Sequence, residues 1–282
     1  MSIDRTEIAL VAGQRAIDAR VPRTVLRGPR RWWTVVGGAL IPIALLVAWW
    51  AVSASGAVPA YRLPSPAAVW AAAVDLQTNP ANRGALYVDI AISTQRVLVG
   101  FVEGALAGLV LGALVGLSRT ISVLLSPLIA ALRAVPSLAW LPLLIMYLGI
   151  YETPKITLVA IGASLPAFTT LSAALRDVDP HLVEVGRAFG LGRLRLLAQV
   201  QLPAVLPALV SGLRLALAQA WLFLVAAELA ASSIGLGYLL TYSEQNGRTD
   251  RVFLAIILFA VLGALSNAIV SLLERWLVRR WR

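Results

Sequence analysis

Long apolar runs, separated by short polar or proline-rich intervals, occupy most of the chain after its first 31 residues. A bilayer core of about 30 Å is crossed by about 20 helical residues. Six runs approach that length: 32–52, 90–117, 135–150 with an apolar lead-in at 121–132, 156–175, 204–229 and 252–273. The first is bracketed by Trp32-Trp33 and Trp49-Trp50, at the depth where interfacial aromatics collect. The interval after it is rich in proline and small residues, and predicts a short interfacial helix over 66–76. The pattern therefore predicts an all-α polytopic membrane protein with about six transmembrane helices over 32–282, preceded by a basic arm over 1–31.

Within the runs, a few positions break the pattern. Gly100, Gly104, Gly108, Gly112 and Gly116 recur every four residues, which puts a flat stripe on one helix face for close helix packing. Pro136 and Pro142 interrupt the third run. Such breaks are tolerated where a helix lines a cavity or packs on protein, so this run, with Trp140, is the leading pathway candidate. Trp140 and Trp221 also suit plain bundle packing. Ionisable residues in a membrane face a cavity or a partner; here they are Arg96, Glu103, Arg133, Arg214 and Glu228. Arg96 and Glu103 share a face but lie about 10 Å apart along the axis, too far for a direct bond. Glu103 suits either a helix anchor or a pathway residue. Glu228, just before Ala-Ala-Ser-Ser-Ile-Gly-Leu-Gly, suits ordering of an outer gate region, with a direct solute role as the alternative. Arg133, expected near the start of the third span, and Arg214 suit bracing or snorkelling.

Composition agrees with this solvent: 59% of the residues are hydrophobic, 13% are charged and mean hydropathy is +0.82. The formal charge of +10 raises the question of nucleic acid. Its distribution answers it. Arginines gather before the first span, at 187–195 and at the C-terminal tail, as the positive-inside rule places cytoplasmic ends. Both termini and the segment after span four are thus expected in the cytoplasm, with 151–155 and 232–251 outside and the N-terminal arm read as cytoplasmic, not as a signal peptide. The absence of cysteine excludes disulfides and thiolate chemistry, and one histidine, His181, makes a metal site unsupported. No nucleophile and base stand at matching spacing, so no catalytic residue is assigned.

One polar segment, Glu-Val-Gly-Arg-Ala-Phe-Gly-Leu-Gly-Arg from residue 184, interrupts the apolar pattern between spans four and five. Asp179-Pro180 is a helix start, an acidic cap followed by proline at the first turn. Gly190 is a helix stop. Glu184, Arg187 and Ala188 share a face at spacings of three and four. A second helix is expected from Arg193 to about Leu202-Pro203, making a helix-turn-helix knob over about 176–203.

Glu184-Val185-Gly186, Gly190 and Leu202-Pro203 resemble the EAA loop of ABC importer permeases. The stretches 132–150, 224–240 and Leu-Pro-Ser-Pro-Ala-Ala-Val-Trp at 63–70 resemble the nitrate, sulfonate and taurine branch of that family. Val185 and Gly186 depart from the two alanines, and Gly186 lowers helix propensity by about 1 kcal/mol. The resemblance implies a type I importer permease of the inner membrane. It assigns Glu184, Gly186, Arg187, Ala188, Phe189, Gly190 and Pro203 to coupling with a cytoplasmic ATPase. It also implies a second permease copy, two ATPase subunits that hold ATP and Mg, an extracytoplasmic solute-binding protein, and a small, anionic solute. The chain has no Gly-x-x-x-x-Gly-Lys-Ser/Thr loop, and its only lysine is Lys155, so energy must come from a partner or an ion gradient. The competing reading is an ion-coupled secondary transporter using Glu103 and Glu228, for which an inverted repeat would be the sign; none is visible.

Overall fold

The structure is a computed structural model that describes residues 31–79 and 85–280. The expected arm over 1–31 lies almost wholly outside the described residues. The chain divides into two compact units, Met1–Val52 and Ser53–Arg282. In the first, helix α1, Arg31–Ala54, covers the first predicted span and includes Pro42.

The described residues of the second unit form helices joined by turns and short loops. Helix α2, Pro66–Thr78, starts where Ser65 accepts from the Ala68 amide and Pro66 fills the first turn. Helix α3, Ala85–Leu117, is followed by α4, Arg119–Ala134, capped by Ser118. A 3₁₀ turn at Ser137–Ala139 leads into α5, Trp140–Leu148, and then α6, Glu152–Arg176. Next come α7, Pro180–Ala188, α8, Arg193–Leu196, a π-helical segment at Leu197–Gln201, and α9, Leu202–Ala231. Helices α10, Leu236–Gln245, and α11, Thr249–Arg280, complete the unit.

The glycine stripe explains how the centre is built. A side chain at Gly100 would meet Val159, at Gly104 the backbone of Ala160, at Gly108 that of Ser164, at Gly112 that of Phe168 and at Gly116 Leu175. The numbers rise together, so α3 and α6 run parallel with their backbones nearly touching. Close approach of small residues replaces the hydrophobic drive that lipid cannot supply. Helix α9 packs antiparallel on α6, with Gly212 at Thr170 and Phe223 at Gly162. Val97, Val159, Ala163, Ala216, Ala220 and Leu224 form the buried centre of the three.

The parallel pair forces a return crossing. Leu117 ends α3 beside the end of α6, whereas Glu152 begins α6 beside Arg96, so 118–151 must traverse the bundle. That crossing differs from the expected span over 135–150. It is made in two pieces, α4 and the nine-residue α5, broken at Val135-Pro136. Pro136 breaks the ladder, as expected. Pro142 does not: it occupies the first turn of α5, where a missing N–H removes no internal bond. Among the described residues, four segments are long and apolar enough to cross a membrane: α3, α6, Arg193–Ala231 and Thr249–Arg275.

Two further expectations need correction. The second helix of the knob does not stop at Leu202-Pro203 but continues through the π segment into α9, a 39-residue rod. A proline inside an α-helix clashes with the carbonyl four residues back, and the wide turn relieves this: the Leu202 amide reaches back five residues to the Leu197 carbonyl. The interval 232–251, expected as a connection, contains α10, closed by Gly247 at φ 66°.

Candidate functional site

Three places in the second unit carry polar or concave features. The first is the knob. Asp179 accepts from the His181 amide at 2.9 Å and starts α7. At the other end Gly190 stands at φ 75°, its amide bonding the Arg187 carbonyl at 2.9 Å while the Leu191 amide bonds Gly186 at 3.1 Å. This paired closure needs a residue that tolerates a left-handed backbone. Gly186 is buried, and a Cβ there would lie 2.5 Å from Leu196. Its small size thus seats α7 on α8. Glu184, Arg187, Ala188 and Phe189 are all exposed, with Phe189 at 82% and Leu194 at 83%. Pro203 opens α9 just past the π segment.

The second place is a cavity of about 260 Å³ at the break in the return crossing. Leu111, Ile129, Leu132, Trp140, Ser164 and Phe168 are among its walls. Trp140 therefore lines a cavity, while Pro136 and Pro142 are exposed beside it. Arg133 lies in the last turn of α4 next to the break, not at the start of the crossing as expected. Trp221 packs: its Nε1–H donates to Ser266 at 2.9 Å, and its ring meets Phe259 edge-on. Arg214 joins α9 to α11 through Asn267 and Glu274, both at 3.2 Å. Glu103 is exposed, and no hydrogen bond or ion pair joins it to another described residue.

The third place lies at the opposite end of the bundle from the knob. Asp89, Ser93 and Arg96, at spacings of four and three, form a buried polar stripe on α3. Arg96 donates through Nε and Nη2 to both oxygens of Glu152, at 2.5 and 2.8 Å, and through Nη1 to Glu228 at 2.6 Å and the Ile234 carbonyl at 2.8 Å. Lys155 donates to Glu152 at 3.1 Å. The loop between α9 and α10 is held amide by amide. Gly235 donates to Asp89, Leu236 to Ser93 and Gly237 to Glu228, at 2.8, 2.9 and 2.8 Å. Ser93 in turn donates to Glu228. Gly235, at φ 119°, passes so close that a Cβ would fall 2.7 Å from Arg96 Nη1.

Nearby, outside the spans, Asp75 accepts from Arg251 at 2.8 Å and ties α2 to α11. The Asn79 amide, and then Arg251 against a partly opposing desolvation, hold its carboxyl below the ordinary aspartate value.

The sequence pattern puts Glu228 near this loop without its partners. For Arg96 it offers only Glu103, and it puts Lys155 outside the spans, whereas Lys155 is 2% exposed in the first turn of α6. The signals were present: a polar stripe opening an apolar helix, and Glu-x-x-Lys at a helix start.

Residues 104–282 match the family described as binding-protein-dependent transport system inner membrane component. A candidate aliphatic sulfonates transport permease protein of Escherichia coli (strain K12) is 40% identical over 253 residues, covering 89% of this chain and 94% of that protein. A nitrate import permease protein of Leptolyngbya laminosa is 32% identical, covering 90% of this chain and 95% of its own length. A methionine ABC transporter solved in an inward-facing conformation shares the fold, with a TM-score of 0.64 at 19% identity over 71% of this chain and 99% of that one. The parallel glycine-packed pair, the broken return crossing and the exposed knob therefore belong to an inner-membrane permease, and the chain is a member of the binding-protein-dependent transport system inner membrane component family.

Proposed function

We propose that this permease carries a small oxyanion, a sulfonate or a related organic acid, through a pathway shared by two copies of the chain. The observation that carries the solute class is the similarity to relatives named for sulfonates and nitrate across nearly the whole chain. Two features support a paired assembly. The cavity at the α4–α5 break, walled by α3, α4, α5 and α6, is not fully enclosed. Glu103 stands exposed near mid-depth of α3, where a carboxylate in lipid is costly and a partner chain or a wet route is the physical remedy. Two-fold pairing places one route on the axis.

The knob is the docking element for a separate ATPase, which binds ATP and Mg and supplies the energy; one ATPase sits under each permease copy. Exposed Leu182, Val185, Phe189 and Leu194, beside Glu184 and Arg187, give it both apolar and charged surface. The knob end also carries Arg119, Arg176, Arg193, Arg195 and Arg275, which fits a cytoplasmic placement. A solute-binding protein delivers from the opposite side.

The deciding experiment reconstitutes the permease with its ATPase and binding protein in vesicles and follows a radiolabelled sulfonate. ATP-dependent uptake is expected, and uptake driven by a proton gradient without the ATPase would overturn the reading. A thermal-shift screen of the binding protein sharpens the solute: stabilisation only by cations or sugars would overturn the anion. Cysteines replacing Ala57 or Asn246 should be labelled from outside intact cells and one replacing Arg193 only after permeabilisation; the reverse would invert the topology.

A further inference from the structure

In the ionic cluster opposite the knob, one of the four charged side chains is exposed. The side chains of Arg96, Lys155 and Glu228 are 2%, 3% and 0% exposed, whereas that of Glu152 is 53% exposed. The two edges of the Arg96 guanidinium are used differently. Nη1 points inward to Glu228, the Ile234 carbonyl and Ser232, which fix it to the loop. Nε and Nη2 both donate to Glu152, the exposed carboxylate and the one hydrogen-bond partner of that edge among the described residues. That edge is the two-pronged donor that a planar or tetrahedral oxyanion matches.

The charges balance as they stand, two cations against two carboxylates. If the Glu152 side chain swings away toward its exposed side, Arg96 and Lys155 are left buried with Glu228 alone. An uncompensated buried charge is strongly unfavourable, so the vacated position demands an anion. The other buried acid nearby, Asp89, accepts from the Gly235 amide and lies two helical turns from Arg96 along α3.

We propose that Arg96 and Lys155 form a transfer site for a small sulfonate or carboxylate, with Glu152 as a built-in occupant that the solute displaces. The proposal rests on the reading of this chain as an importer of small anions. Two sulfonate oxygens take the Nε–H and Nη2–H of Arg96, and a third accepts from Lys155 Nζ. The exchange replaces one set of charge-assisted hydrogen bonds with another and never exposes a bare buried cation. Return of Glu152 expels the solute, so the site passes the anion on instead of retaining it.

The test uses the full chain purified in detergent, with methanesulfonate as the probe and chloride as the ionic-strength control. Glu152→Ala should lower the melting temperature, and millimolar methanesulfonate should restore it; the wild type should not respond, and Glu152→Ala with Lys155→Met should lose the response. In vesicles with the ATPase and binding protein, uptake by Glu152→Ala should be inhibited by free methanesulfonate at concentrations that leave the wild type unaffected. A melting shift equal to that with chloride overturns the site, as does no shift. A methanesulfonate-specific shift without inhibition of uptake overturns its place on the route. If Glu152→Ala does not fold, Glu152→Gln keeps the side-chain volume, removes the charge and is read in the same two assays. Absence of sulfonate uptake by the wild type would instead fail the importer reading, while the melting experiment still reports on the site.

Discussion

The two ends of the bundle solve opposite problems with the same kinds of residue. At one end Arg96, Glu228, Ser93 and Asp89 are buried: Arg96 and Ser93 donate to Glu228, and Asp89, Ser93 and Glu228 accept from three consecutive loop amides. At the other, Glu184, Arg187, Arg193 and Arg195 are exposed, and no ion pair among the described residues includes them. Charge is buried and paired within the chain in the first place and left exposed in the second. The difference predicts that substitutions at the loop end act on folding, and substitutions at the knob act on coupling.

Arg96→Met should have the largest effect. It leaves Glu228 buried without its cation, at a cost of about 3–5 kcal/mol. Loss of folded protein on size-exclusion chromatography in detergent checks it; a wild-type melting curve would show the cluster to be dispensable. Gly104→Val comes next. A side chain there meets the Ala160 backbone, which cannot rotate away, and overpacking of this kind costs about 1–3 kcal/mol. A lowered melting temperature is expected, whereas Glu103→Gln, one residue off the stripe, should leave it within error.

Gly190→Val probes the other end. Its left-handed backbone strains a β-branched residue by about 1–2 kcal/mol, confined to the knob. The bundle should melt normally while ATPase copurification and solute uptake fall. Glu184→Arg should not change stability at all, yet should weaken the same copurification; normal copurification and uptake in both variants would make the knob a mere connector. The smallest effect is expected at Asp75. Its lowered value means that its stabilisation is full above the ordinary aspartate value of about 3.9 and is lost as pH falls through the lower folded value. Asp75→Asn should therefore flatten only the most acidic limb of a stability profile.

The knob was legible in the sequence because its signals are local. Asp179-Pro180 and Gly190 act through bonds within five residues of themselves. The glycine stripe was legible for the same reason, since its spacing lies on one helix. The ionic cluster was not, because Arg96 meets Glu152 and Glu228 across 56 and 132 residues. Only the packing of α3 against α6 and α9 joins them. Pro142 was misread because its effect depends on where the helix begins, and the break at Val135-Pro136 moved that start to Trp140.

The π segment at Leu197–Gln201 sets the angular phase between the knob and the rod above it. One residue advances an α-helix by about 100° and 1.5 Å. A π turn absorbs one surplus residue without passing that rotation on, so Glu228, near the far end of α9, keeps its bearing toward Arg96. Loss of one residue within 197–201 would remove the slack and set Pro203 in an ordinary ladder, yet leave the phase intact. Loss of one residue in the straight rod, at Ala216 for instance, would swing Glu228 by about 100° away from its arginine. Along this helix, chain length is constrained everywhere except at one turn.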